Sequence, residues 1–311
     1  MINNLFIFIV ALFIVVRGAT YASRYAISLA ESYNLSKYTI GFIIVAVISV
    51  LPETFIAINS ALEGIPSFGL GTLFGSNIAD LTLIFALIVF LTGRSLKIES
   101  KILKNHVVFP FVLLLPIVLG LNGHFSRLEG LALIIAGGVF YYMALRDGAS
   151  HAITPADQTN RSKSFSLLLV SMVVLLVSSH FVVTSATDLA SYFGINPIII
   201  GMFIVSLGTT MPELFFSLKS VMKKDDSLAV GDILGTVLAD ATIVVGILAL
   251  INPFYFPVKI VYVTGVFMVI ASLILFRLMK TGHALTRTEA YLLLAFWLFF
   301  VLVEYIVNVT I

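Results

Sequence analysis

An all-α integral membrane protein of ten transmembrane helices, arranged as two inverted five-helix repeats, is the architecture this sequence predicts. Three observations point to it. Of the 311 residues 60% are hydrophobic and 11% charged, with a mean hydropathy of +1.11, a composition that a water-soluble chain of this size does not sustain. Residues 41–82 return at 201–242 with a constant offset of 160 and no gap. Lysine and arginine sort strongly onto alternate connections between the apolar segments.

At about 20 apolar residues per crossing, spans are expected at 5–33, 38–62, 68–92, 105–122, 127–146, 165–193, 197–221, 227–250, 257–279 and 288–309. The opening MINNLFIFIVALFIVVRG lacks a basic leader and a small-residue cleavage site, so it is expected to remain as the first span. Turn chemistry or charge separates the others: Asn34-Leu35-Ser36-Lys37, Glu63-Gly64-Ile65-Pro66, Leu121-Asn122-Gly123-His124, Asn196-Pro197 and Asn252-Pro253. A polar run at 147–164 divides a first half, 1–146, from a second, 165–311, and is expected to be a cytoplasmic linker.

Alternate connections, counting that linker, hold 14 of the 18 Lys and Arg residues, while the opposite side has only Arg127 and Lys259. Arg17 and Arg24 lie within the first span, where snorkelling or packing against an acid such as Glu31 is expected. The positive-inside rule then places both termini outside the cell. Because five is odd, the second half enters the membrane upside down, and the two copies of the repeat should meet near the midplane.

The copies share acids in apolar surroundings. Pro52-Glu53 returns as Pro212-Glu213 and Asp80 returns as Asp240, in register with Gly41/Gly201, Gly71/Gly231 and Gly75/Gly235. A proline inside a helix has no N–H for the carbonyl four residues back, so carbonyls near Ile48 and Gly208 should be freed. Ser49 and Glu53, Thr209 and Glu213, Ser76 and Asp80, and Thr236 and Asp240 are each spaced i and i+4, which puts a hydroxyl and a carboxylate on one helix face. Such oxygens suit Ca2+ or Na+ better than Mg2+, which requires a strict octahedron and holds its water. An acid in a membrane helix is costly, and four at related positions, with Lys219 near the end of one span as the single Lys or Arg in those spans, point to a cation pathway. The glycines are expected to serve close helix packing, with backbone binding as the alternative.

Other polar residues carry less. His180 is expected to be a satisfied histidine, although proton carriage is open to it. Asp188, Glu304 and Asn308 fall near span ends and should be interfacial. Asp232 should be an acid at a helix N-terminus, with a role in a cytoplasmic funnel as the alternative. The run Lys223-Lys224-Asp225-Asp226 should be a solvated turn. Zero cysteines exclude thiolate chemistry, and no nucleotide-binding motif, basic aromatic stripe or hydrolytic constellation is present. No cofactor, nucleotide or nucleic acid is expected; the expected partners are inorganic cations and the bilayer.

The second copy reads Gly208-Thr209-Thr210-Met211-Pro212-Glu213 with Gly235-Thr236-Val237-Leu238-Ala239-Asp240, and the first reads Ile48-Ser49-Val50-Leu51-Pro52-Glu53 with Gly75-Ser76-Asn77-Ile78-Ala79-Asp80. These stretches resemble the α-repeats of the calcium/cation antiporter superfamily, the sodium/calcium exchangers in particular. The resemblance implies Glu53 and Glu213 as central calcium ligands. Ser49 and Thr209 fall on the flanking hydroxyl and backbone positions, Ser76 and Thr236 on the helix hydroxyls, and Asp240 on the acid-or-amide position. Two departures stand out. Val50 lacks the hydroxyl that Thr210 keeps, which implies a lost ligand at one flanking sodium site, and Asp80 stands where an asparagine is common.

The function implied is a secondary-active antiporter of the cell membrane, not an enzyme, that exchanges Ca2+ for Na+ by alternating access. A Ca2+ or other divalent/proton antiporter, with Asp80 or His180 carrying protons, is the alternative. A cation channel fits less well, since tight binding opposes fast exit.

Overall fold

The computed structural model describes residues 2–31, 46–99, 108–148 and 161–309. The expectations for Gly41, the turn at 34–37 and most of the 147–164 linker lie outside these residues, as do the side chains of Glu31 and Asn308.

The chain is mostly helical, in the order α1 (Ile2–Glu31), α2 (Ala46–Ser49), α3 (Leu51–Leu62), α4 (Pro66–Ala79), α5 (Phe85–Thr92), β1 (Leu96–Lys97), α6 (Val108–Leu119), β2 (His124–Phe125), α7 (Arg127–Gly148) and α8 (Arg161–Phe193). There follow α9 (Pro197–Ile200), α10 (Ser206–Thr209), α11 (Met211–Met222), α12 (Asp226–Ala239), α13 (Val245–Ile251), β3 (Phe254–Tyr255), α14 (Val266–Lys280), β4 (Ala284–Leu285) and α15 (Arg287–Val309). Single π-helical turns join α4 to α5 at Asp80–Ile84, α9 to α10 at Gly201–Val205 and α12 to α13 at Asp240–Val244, and another, Ile260–Gly265, leads into α14.

Among the described residues seven helices are long and apolar enough to cross a membrane, and Val108–Asn122 is a shorter apolar one. Two of the seven, Pro66–Thr92 and Asp226–Ile251, bury 83% of their most apolar stretch, whereas Arg287–Val307 buries 22%. The first two are therefore the centre of the molecule and the last is a lipid-facing rim.

Local chemistry sets the ends. Pro66 and Pro197 open helices at the position where a missing N–H costs nothing, and the Asn196 side chain accepts from the Ile198 N–H at 3.1 Å. Ser126 and Glu129 cap α7 reciprocally, with Ser126 N to Glu129 Oε2 at 2.7 Å and Glu129 N to Ser126 Oγ at 3.3 Å. Thr286 and Glu289 do the same for α15 at 2.7 and 3.4 Å.

Those two capping boxes are 160 residues apart, as are the bounds of α2 and α10, α3 and α11, α4 and α12, and the π turns at Asp80 and Asp240. The offset thus extends well beyond the 42-residue motif. Two antiparallel ribbons join the halves: Leu96 opposite Leu285, and Phe125 opposite Phe254. Adding 160 turns β2 into β4 and brings β1 beside β3, so one ribbon maps onto the other with the halves exchanged.

Apolar packing has two parts. The larger core is centred on α4, α5, α12 and α13, with Leu73, Phe74, Ile78, Ile233 and Val237 fully buried. A second cluster, including Phe8, Val15, Leu175 and Val182, joins α1 to α8 and reaches Ile56, Ile200 and Val205 of the bundle. The long helices thus pair with each other along a seam of their own. Helix α8 begins at Arg161, four residues earlier than expected, and α7 runs on to Gly148, so both helices extend into the stretch read from sequence as linker.

Candidate functional site

Two helix breaks and two central helices build the site. Val50 and Thr210 precede the breaks with almost identical backbone angles, φ −74°, ψ −4° and φ −78°, ψ −4°. Pro52 and Pro212 occupy the second position of the helices that follow. Helical bonding resumes directly after each break: Thr54 N bonds Val50 O at 2.9 Å and Leu214 N bonds Thr210 O at 3.1 Å. Glu53 and Glu213 therefore sit in the first turns of α3 and α11.

The hydroxyls beside the second break point their protons inward. Thr209 donates to Ser206 O and Thr210 to Leu207 O, both at 3.1 Å. A hydroxyl whose proton is committed to a carbonyl has only lone pairs left to present, which suits a cation and not an anion. Thr209 also lies beside the Glu53 carboxyl across the two halves.

Along the central helices Ser76 donates to Leu73 O at 3.0 Å and approaches Asp240 Oδ2 at 3.4 Å. Thr236 Oγ1 has no hydrogen-bond partner among the described residues. Neither do both carboxylate oxygens of Glu53, Asp80 and Glu213, or Oδ1 of Asp240. Every one of the expected site residues, Ser49, Glu53, Ser76, Asp80, Thr209, Thr210, Glu213, Thr236 and Asp240, is at most 2% exposed. Asp80 lies within electrostatic reach of Glu53, Glu213 of both, and Asp240 of Glu53 and Asp80.

Buried carboxyl oxygens without partners are rare in native proteins because each forfeits its hydration for nothing. A cluster of them has the chemistry of a cation site, because carboxylate oxygens are hard, anionic donors. No three acids among the described residues stand close enough to enclose one ion by themselves, so hydroxyl and carbonyl oxygens have to complete any coordination shell.

Backbone packing brings the halves this close. A Cβ on Gly71 would lie 2.9 Å from the Ile198 carbonyl oxygen, and one on Gly75 would strike the carbonyl of Met202. From the facing side of the same contact, a Cβ on Gly201, in the turn after α9, would meet Phe68 O at 2.8 Å. Packing is thus the role the structure gives Gly71 and Gly75. Gly235 offers its carbonyl to the Tyr141 hydroxyl at 2.6 Å.

Three expectations are corrected. Asp232 is not at a helix N-terminus, because α12 begins six residues earlier, at Asp226. It is fully buried, accepts the Ser49 hydroxyl at 2.8 Å, and lies within reach of Asp80 and Glu213. Its signal was present in the sequence: Asp232, Thr236 and Asp240 form an i, i+4, i+8 stripe. Glu304 is not interfacial but 3% exposed, and accepts the Thr264 hydroxyl. Asp226 is not a solvated turn residue, since Arg94 grips both its oxygens and Lys97 N donates to it at 2.8 Å. That hydrogen bond raises the Arg94 pKa above its already high value.

Outside the site, His180 Nδ1 lies 3.1 Å from Glu63 Oε1 at the half-exposed end of α3, which agrees with a satisfied histidine. Arg17 is exposed and lies over the Tyr21 ring at 5.6 Å, and Arg24 is exposed too. Asp188 accepts from the Asn4 side chain at 3.0 Å in an exposed position.

Comparison with known proteins identifies this chain as a transporter and not an enzyme. The chain is 30% identical over 244 residues to the putative antiporter CaxA of Alkalimonas amylolytica, covering 73% of this chain and 74% of that one. It is 23% identical to the sodium/calcium exchanger MaX1 of Methanosarcina acetivorans over 96% and 98% of the two chains. It is 27% identical to the inner membrane protein YrbG of Escherichia coli over 79% of each. In fold, a solved structure of the sodium-calcium exchanger NCX_Mj matches with a TM-score of 0.70 and 22% identity, covering 96% of this chain and 97% of that one. The family model described as sodium/calcium exchanger protein matches twice, at residues 3–146 and 163–306, again 160 apart. With both of its halves matched by that model, the chain belongs to the sodium/calcium exchanger protein family.

Proposed function

We propose that this protein is a secondary-active antiporter that exchanges Ca2+ for Na+ at a site made by Glu53, Asp80, Glu213 and Asp240 with the hydroxyls of Ser49, Ser76, Thr209, Thr210 and Thr236. The observation that carries the reading is the cluster of buried carboxylates that have no cationic partner among the described residues and in which seven of the eight oxygens have no hydrogen-bond partner there. Cations are the ligands such a cluster lacks, and four acids give Ca2+ the charge that a smaller set would not.

The working architecture is ten spans in two inverted five-helix halves, with the acids at the bilayer midplane, the 147–164 linker cytoplasmic and both termini outside the cell. The exchange of halves between the two ribbons, the shared offset in element bounds and the alternation of positive charge all favour it. Helices α1 and α8 pack on each other along a separate apolar seam, which lets them slide as one gate past the bundle. A relative named as a sodium/calcium exchanger and another named as a putative antiporter agree with this reading.

Calcium flux in sealed proteoliposomes tests it. An outward Na+ gradient should drive 45Ca2+ uptake with no pH gradient present. Uptake driven by a pH gradient in Na+-free medium would instead establish the divalent/proton alternative, for which Asp80 is the specific motive.

A further inference from the structure

Resting on that reading, we propose that Asp232 is a fifth cation-coordinating carboxylate, which forms with Ser49 and Thr236 an alkali-cation subsite on the flank where Val50 withholds an oxygen.

The two flanks differ in a compensating way. Beside Glu213 the break carries Thr210, a hydroxyl with lone pairs to offer. The first-half residue that answers to Asp232 is Thr72, which is neutral and engaged: it donates to Phe68 O at 3.1 Å and is pressed against Gly201. Beside Glu53 the break carries Val50, buried in the apolar core and without an oxygen. There the position answering to Thr72 is Asp232, fully buried, with Oδ1 held by the Ser49 hydroxyl at 2.8 Å and Oδ2 without a partner among the described residues.

The Ser49 bond connects residues 183 positions apart. It places the Asp232 carboxylate next to the hydroxyl that stands one helical turn before Glu53. On its own helix Asp232 stands one turn before Thr236, whose oxygen is also unpartnered. A carboxylate oxygen, a serine oxygen whose proton is already donated, and a free threonine oxygen are hard donors of low total charge. That set suits Na+ better than Ca2+, which needs more oxygens and more charge. If Asp232 served only to accept from Ser49, an asparagine would do the same work, since its amide oxygen accepts equally well.

The test measures the half-activating Na+ concentration for 45Ca2+ uptake, the Ca2+ half-saturation, and the Na+-induced rise in Tm of the purified protein in detergent. Asp232→Asn should raise the half-activating Na+ concentration about ten-fold and shift Ca2+ half-saturation by less than about three-fold. It should also remove most of the Na+-induced rise in Tm. Adding Val50→Thr to Asp232→Asn should recover Na+ activation to within about three-fold of the wild type. Unchanged Na+ dependence in Asp232→Asn, or equal loss of Na+ and Ca2+ affinity, overturns the inference. Should Asp232→Asn fail to fold, Asp232→Thr, which installs the first-half residue, is read by the same criteria. Failure of the exchanger reading shows in the wild type, as absence of any Na+ response, and overturns both; failure of the Asp232 inference alone shows only in the variants.

Discussion

The Arg94 guanidinium closes on the Asp226 carboxylate through two nitrogens, at 2.8 and 2.5 Å, and gives a third bond to Val221 O at 2.6 Å. It ties the turn after α5 to the end of α11 and the start of α12, and so braces the corner between the two helices that carry Glu213 and Asp240. Arg94→Ala should lower the stability of the detergent-solubilised protein by about 1–3 kcal/mol, read as a reduced Tm. Arg94→Lys should recover little of it, because an ammonium cannot make the two-pronged contact. Equal Tm values for the wild type and Arg94→Ala would show the clamp to be idle.

Gly75→Ala should be poorly tolerated. The new methyl would collide with the Met202 backbone, which belongs to a helix turn and cannot give way cheaply. A loss of about 1–3 kcal/mol is expected from such overpacking. Gly138→Ala is the control, since a Cβ there meets nothing within 4 Å, and in mid-helix it should stabilise by roughly 0.5–1 kcal/mol. Comparable folded yields for the two variants would contradict the close-approach account of Gly75.

Glu53→Gln and Glu213→Gln should each abolish Ca2+ transport while leaving the cation-free protein as stable as the wild type, or more stable by about 1–3 kcal/mol. The reason is that an unpartnered buried carboxylate is a net cost until a cation arrives. The stabilisation by Ca2+ seen in the wild type should vanish in both, because linkage requires binding. Thermal unfolding with and without Ca2+, beside flux, checks this. Full uptake by either variant would remove these acids from the centre of the site.

Val50→Ser should increase the steepness of Na+ activation, since it returns an oxygen to the flank that lacks one. Val50 is 6% exposed, so the smaller polar side chain should cost about 1–3 kcal/mol of stability. Na+ activation curves decide: an unchanged half-activating concentration and slope would mean that position 50 faces away from the ions.

Much of the site was legible in the chain because its logic is local. Ser49 with Glu53, Thr209 with Glu213, and the two hydroxyl-acid pairs of the central helices follow from a period of 3.6 residues. The helix breaks follow from proline's missing N–H. The 160-residue offset predicted equivalent elements, and the capping boxes at Ser126 and Thr286 extend that equivalence beyond the repeated 42-residue motif. Asp232 was legible as well, as the first member of a stripe with Thr236 and Asp240, but its place near a charged turn suggested a helix end.

By itself, then, the sequence determined that the chain is a membrane protein with two related acid-bearing halves, because composition, periodicity and proline chemistry act within a few residues. Only the tertiary structure decided which polar groups meet: Ser49 with Asp232, Arg94 with Asp226, Thr264 with Glu304. Each of those pairs joins residues at least 40 positions apart. Their contact depends on how helices are rotated and how closely glycine lets backbones approach, and no local period carries that information. The same packing sets which acids find a partner among the described residues and which do not.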